Sequence, residues 1–119
     1  MISALLFLCT MAAHDARVEL KNSPVTVSMH LKRAHDPKKH LMLRAEGISV
    51  EGEVGVWEVR VGDTVAGTLS TYGAEEQNGK YVAAVPLDMV RTRSVTITFV
   101  PATRGTGTIR IRRLRLVEE

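Results

Sequence analysis

Residues 41–73 read LMLRAEGISVEGEVGVWEVRVGDTVAGTLSTYG. Leu41, Leu43 and Ala45 open a strand that Gly47 closes. Trp57, Val59 and Val61 alternate with Glu58 and Arg60, a period of two that turns one face of a strand toward a core. Gly62-Asp63 then predicts a hairpin turn, and Val65 to Tyr72 a return strand. Between and after these runs lie an acidic loop, SVEGEVG (49–55), and a second loop, GAEEQNG (73–79), whose Asn78-Gly79 can supply a positive φ. Two strands joined by a tight turn and bounded by polar loops are the vocabulary of an antiparallel sheet.

The same pattern extends in both directions. Upstream, Val25, Val27, Met29 and Leu31 alternate with Thr26, Ser28 and His30 behind Pro24, and KRAHDPKK (32–39) forms a basic turn. Downstream, Tyr81, Ala83 and Val85 form a short strand stopped by Pro86, and Leu87 to Val90 fit one helical turn. Val95, Ile97 and Phe99 make the cleanest alternation in the chain. The last strand slips phase: Ile109 and Ile111 are odd, Leu114 and Leu116 even. Both pairs reach one face only if a bulge intervenes near Arg112-Arg113, and such a bulge could turn a sandwich corner.

Composition agrees. Val occurs 15 times and Thr 11 times in 119 residues, and β-branched residues favour a pleated surface over a helix. With only five aromatic residues the core must be aliphatic, anchored by Trp57. The expected fold is all-β: an antiparallel β-sandwich, jelly-roll or Ig-like, of about eight strands. The chain divides into an apolar N-terminal segment, 1–16, and a sandwich domain, 17–119. The segment MISALLFLCTMAAHDA reads as a docking or self-association piece through residues 1–13. Its Ala12-Ala13 end is small, as a signal-peptidase site would be, but no Lys or Arg precedes the apolar stretch, which favours a cytoplasmic over a secreted setting. No apolar run is long enough to span a membrane.

The residues that carry chemistry are few. One cysteine, Cys9, forbids an internal disulfide, and burial in an apolar stretch would make it inert. His30, His35 and His40 are spaced five apart, which no helix or strand gathers on one face, and His14 lies elsewhere; with Met29 or Met42, a small copper-binding helper is conceivable, but solvated histidines and core methionines are the simpler account. No serine stands in a GxSxG frame, and loop glutamates without an aromatic platform read as solubilising charge. RIRRLRL (110–116), with Arg104, could form a phosphate-binding stripe. It is read instead as the solvated face of an edge strand, with no interleaved aromatic for base stacking, so no nucleic-acid partner is assigned; a net charge of +3 does not require one. No catalytic residue, metal site or cofactor is assigned.

The order of motifs is more specific than any one of them. Glu46-Gly47-Ile48, Val56-Trp57-Glu58-Val59-Arg60-Val61 and Ala66 to Gly73 (AGTLSTYG) are similar to the "EGI", "VYEVYV" and "AGTLSFFG" strands of the C-terminal β-sandwich domain that follows the dicopper domain in tyrosinases and polyphenol oxidases. VTITFVPA (95–102), GTIRIRRLRL (107–116) and SPVTVSMHL (23–31) resemble further strands of that domain, so the likeness spans most of residues 18–117. The catalytic histidines of the family lie in the helical domain, and no histidine here matches them. The resemblance implies a non-catalytic module that packs on, covers or assembles a tyrosinase-like copper oxidase. Glu51 and Glu53 in one loop, and Tyr72, Glu75, Glu76 and Gln77 in and beside the other, are the candidate partner-facing residues. The alternative is a free-standing module that binds carbohydrate or a cell-surface ligand, which would need Trp57, Tyr72 or Tyr81 exposed as a platform.

Overall fold

The computed structural model describes residues 16–31, 36, 38–52, 55–71, 79–85, 93–102 and 107–119. They form eight strands: β1 (Ala16–Leu20), β2 (Val25–His30), β3 (Leu41–Glu51), β4 (Val56–Val61), β5 (Thr64–Ser70), β6 (Tyr81–Ala84), β7 (Ser94–Pro101) and β8 (Thr108–Glu118). Every pairing is antiparallel, in two four-stranded sheets ordered β1-β8-β3-β6 and β2-β7-β4-β5. The pairings β4·β5, β3·β6, β2·β7 and β1·β8 nest inside one another around the Gly62-Asp63 turn. The chain is thus one long hairpin, rolled up when β8 docks on β3 and β7 on β4. Of the two expected sandwich types this is the jelly roll.

One apolar core lies between the sheets. Val27, Met29, Trp57, Val59, Val61, Leu69, Val95, Ile97 and Phe99 come from one; Ala16, Val18, Leu20, Leu41, Leu43, Ala45, Ile109, Ile111 and Leu114 come from the other. Trp57 is the expected anchor, only 2% exposed. Its indole N–H donates to the Lys21 carbonyl at 2.8 Å, so a β4 side chain in one sheet fixes the exit of β1 from the other. Val65 and Val82, the exposed large apolar residues among those described, lie on the edge strands β5 and β6.

Three expectations change. β1 is a strand that the sequence pattern does not announce, because its alternation of Ala16, Val18 and Leu20 is short and follows directly on the apolar N-terminal stretch. Gly47 does not close β3, which continues to Glu51. β8 is not an edge strand but lies between β1 and β3, so its arginines are not there to block edge pairing. The expected bulge does occur at Arg112-Arg113, but β8 stays in one sheet rather than turning a corner. From Ala16↔Leu114 to Val18↔Ile111, β1 advances two residues while β8 advances three. On its other side β8 pairs with β3 in constant register through the same point, because β3 reverses its own phase at Gly47. Leu41, Leu43 and Ala45 face the core before it, Ile48 and Val50 after it. Gly47 has φ +63°, and a β-carbon there would lie 2.8 Å from that of Arg112.

Gly67 serves a different need. It follows a bulge at Ala66 in β5, and a β-carbon on it would come within 2.4 Å of the Tyr81 hydroxyl from β6. Burial of that phenol holds its pKa above the ordinary value. The two glycines should therefore respond differently to a methyl group. Gly67→Ala should destabilise by about 1–3 kcal/mol through overpacking, and Tyr81→Phe, which removes the clashing oxygen, should restore most of the loss. Gly47→Ala should cost at least about 1–2 kcal/mol from its positive φ alone, and truncating Arg112 to Ala should not rescue it, since strain and the neighbouring β-carbon remain. Urea unfolding of the single and double variants checks both.

Candidate functional site

The outer face of the β1-β8-β3-β6 sheet carries most of the charge that the described residues organise. Arg110 on β8 donates to Glu19 on β1 at 2.7 Å and also binds Glu51 on β3, bridging three strands. Arg115 meets Glu46 at 3.3 Å, and Arg44 binds Glu119. Arg44 and Arg115 are direct cross-strand neighbours, a repulsive pairing that Glu46 and Glu119 offset. The sequence separations of these pairs, 59 to 91 residues, are why none was visible in the sequence. All are solvent-accessible, so each contributes little to stability singly. Their effect is to neutralise Arg110 and Arg115 of the arginine stripe.

At the bulge the balance differs. A depression of about 550 Å³ is lined by Arg17, Glu19, Gly47, Ser49, Arg110 and Arg112, among others. Arg112 is the one residue of β8 with no register partner on either neighbouring strand, and Gly47 is its counterpart on β3. The stem of Arg112 lies over the bare α-carbon of Gly47. Among the described residues neither Arg17 nor Arg112 has an ion-pair partner. Sequence reading reached the bulge through the phase slip of β8 but missed Arg17, Glu19, Gly47 and Ser49, because β1 was unassigned and the register unknown.

Of the residues expected to face a partner, Glu51 is exposed but belongs to the end of β3 and is bound to Arg110. Glu53, Tyr72, Glu75, Glu76 and Gln77 lie outside the described residues, as do His14, His35, Cys9, Arg104 and residues 87–90. The roots of the two candidate loops are nevertheless joined. Thr71 N–H donates to the Gly55 carbonyl at 3.1 Å, Gly55 N–H donates to the buried Thr71 hydroxyl at 3.2 Å, and Ile48 N–H donates to the Gly79 carbonyl at 3.1 Å. The described residues that flank the two loops therefore lie side by side. His30 and His40 are exposed, and no group of three metal-ligating side chains converges among the described residues. No helix among them is long and apolar enough to cross a membrane.

No family model and no curated protein matches the sequence. The fold, however, is similar to part of latent apple tyrosinase, with a TM-score of 0.58 and 14% identity over 86% of this chain and 27% of that one. It is similar in the same way to a recombinantly expressed latent aurone synthase, a polyphenol oxidase, with a TM-score of 0.61 and 11% identity over 85% of this chain and 25% of that one. The chain thus spans about a quarter of the length of either. The CBM36-1 domain of a multidomain xylanase from the hindgut metagenome of Trinervitermes trinervoides aligns at a TM-score of 0.49 and 15% identity, over 94% of this chain and 92% of that one, too low a score to bear on function. The likenesses to the two latent oxidases establish a shared β-sandwich fold.

The hydrogen bond from Arg110, helped by the charge of Lys21, holds the Glu19 carboxyl below its ordinary pKa. A lowered folded-state pKa means that Glu19 stabilises the fold above the ordinary carboxylate value and loses that contribution as pH falls through the lowered one. Arg110→Gln should move the Glu19 titration back toward its ordinary value, read by NMR of the side-chain carboxyl.

Proposed function

We propose that this chain is a non-catalytic jelly-roll module that packs on, covers or assembles a tyrosinase-like copper oxidase. The observation that carries the reading is the agreement of a motif likeness with a fold likeness. The order of strand motifs from Glu46-Gly47-Ile48 to the closing β8 strand resembles the C-terminal domain of that family, and the fold aligns with latent members of it over 85–86% of this chain. The neighbouring loops 49–55 and 73–79 are the contact surface in this proposal, because their roots are tied together at one end of a rigid sandwich, where loops are free to meet a partner. Their glutamates suit a basic patch on that partner.

The test is recovery of the tagged chain from its source organism, with mass spectrometry and copper analysis. A dicopper oxidase recovered in fixed proportion, and lost when Glu75 and Glu76 are changed to Lys, is the expected result. A chain that returns alone and copper-free reduces the link to a shared fold.

The carbohydrate-binding alternative loses its best platform, since Trp57 is enclosed and its indole N–H already bonded. Trp57 is the single tryptophan of the chain, so its fluorescence reports on this directly. Emission should be blue-shifted, resistant to acrylamide quenching, and unchanged by a panel of soluble glycans.

A further inference from the structure

We propose that the depression at the β8 bulge is a binding site for a small organic oxyanion, a phosphate or polycarboxylate, held between Arg17 and Arg112. Its size, about 550 Å³, falls in the range of small-molecule sites rather than of a single ion. Three arginines meet there, Arg17, Arg110 and Arg112. Glu19 and Glu51 both bind Arg110, which leaves the other two without a carboxylate among the described residues. The backbone explains why these two in particular are available. Arg112 lies in the bulge on the β1 side and is unpaired with Gly47 on the β3 side, and Arg17 stands on β1 opposite the bulged segment. Gly47 is required beneath Arg112 because any β-carbon would collide with the arginine's own stem. Bulges commonly re-aim a side chain in this way. The Ser49 hydroxyl on the same wall can donate to or accept from a ligand oxygen. Two guanidinium forks suit a phosphate or carboxylate, whose oxygens accept paired N–H bonds. Glu19 repels an anion from the Arg110 side of the depression, so the anionic group belongs on the Arg17–Arg112 side. The site does not rest on the oxidase reading: it shares only Ser49 and Glu51 with the proposed contact loops, both lie on β3, and Glu51 acts only by occupying Arg110.

The full chain would be titrated with inorganic pyrophosphate and, separately, with citrate, following backbone amide shifts by NMR. Saturable shifts centred on Arg17, Gly47, Ser49 and Arg112 are expected, and the tighter of the two probes identifies the anion class. Arg17→Ala and Arg112→Ala should each weaken binding about tenfold. Arg112→Lys, which keeps stem and charge but loses the fork, should weaken it less. Glu19→Gln should tighten it, and Lys39→Ala, which removes an equal charge from an exposed turn, should leave it within about twofold. Absence of saturable binding with both probes overturns the site. So does an equal loss in Lys39→Ala, which would mean that only net charge is being sensed. Retention of dispersed amide spectra in the arginine variants separates loss of the site from loss of the fold.

Discussion

Two long paired strands can reverse which residues face the core only if they do so at the same place. β3 and β8 are each eleven residues long and keep one register from end to end, interrupted only at Gly47 and Arg112, where both reverse. Were only one to reverse, either Ile48 and Val50 or Leu114 and Leu116 would be turned outward. Burying each such side chain is worth about 1.5–3 kcal/mol, so the mismatch would cost several kcal/mol, against about 1 kcal/mol for a glycine inside a strand. The joint reversal is therefore the cheaper solution, and it sets the requirement for glycine on one strand. β1 stays in simple alternation because the extra residue of β8 absorbs the change on that side. The rolled hairpin depends on this point, since β8 holds the first and third strands together in one sheet.

The position of β8 also changes what its charge means. On an edge, RIRRLRL would be protection against further pairing. At the centre of a sheet its arginines have strands on both sides, and those strands supply Glu19, Glu46 and Glu51. The true edges are managed otherwise. β2 follows Pro24, and β5 and β6 approach each other at one side of the sandwich, where Tyr81 packs on Gly67.

Much of the fold was legible because period two needs only local sequence. Seven of the strands, the Gly62-Asp63 turn, the burial of Trp57 and the bulge near Arg112-Arg113 follow from alternation and its interruption. What was not legible depends on register between distant segments. Nothing local says that β8 is central, that Glu51 continues β3, or that Arg110 will find Glu19 91 residues away. The groove at the bulge shows the boundary well. The sequence of β8 betrays that a residue must be extruded there, but only the pairing shows that a glycine lies beneath it and Arg17 beside it. Trp57 shows the opposite case, where local alternation and size together place the residue in the core and remove it from the surface that a sugar would need.

The loop end and the sheet face are not independent surfaces, because Arg110 belongs to both. It holds Glu51, at the root of the 49–55 loop, and Glu19, on the wall of the groove. Gly47 and Ser49 of the groove lie on the same strand as Glu51, and Ser49 is the first residue of the 49–55 segment. Ile48, between them, is hydrogen-bonded to Gly79 at the root of the other loop. An anion held between Arg17 and Arg112 would attract the neighbouring Arg110 and so weaken its hold on Glu51 at the loop root. A basic partner that engaged Glu51 would free Arg110 toward the groove. By linkage these two events favour one another to the same degree in either order, whatever their individual strengths. The short stretch of β3 from Gly47 to Glu51 thus joins the backbone irregularity that shapes the groove to the end of the sandwich where the loops emerge.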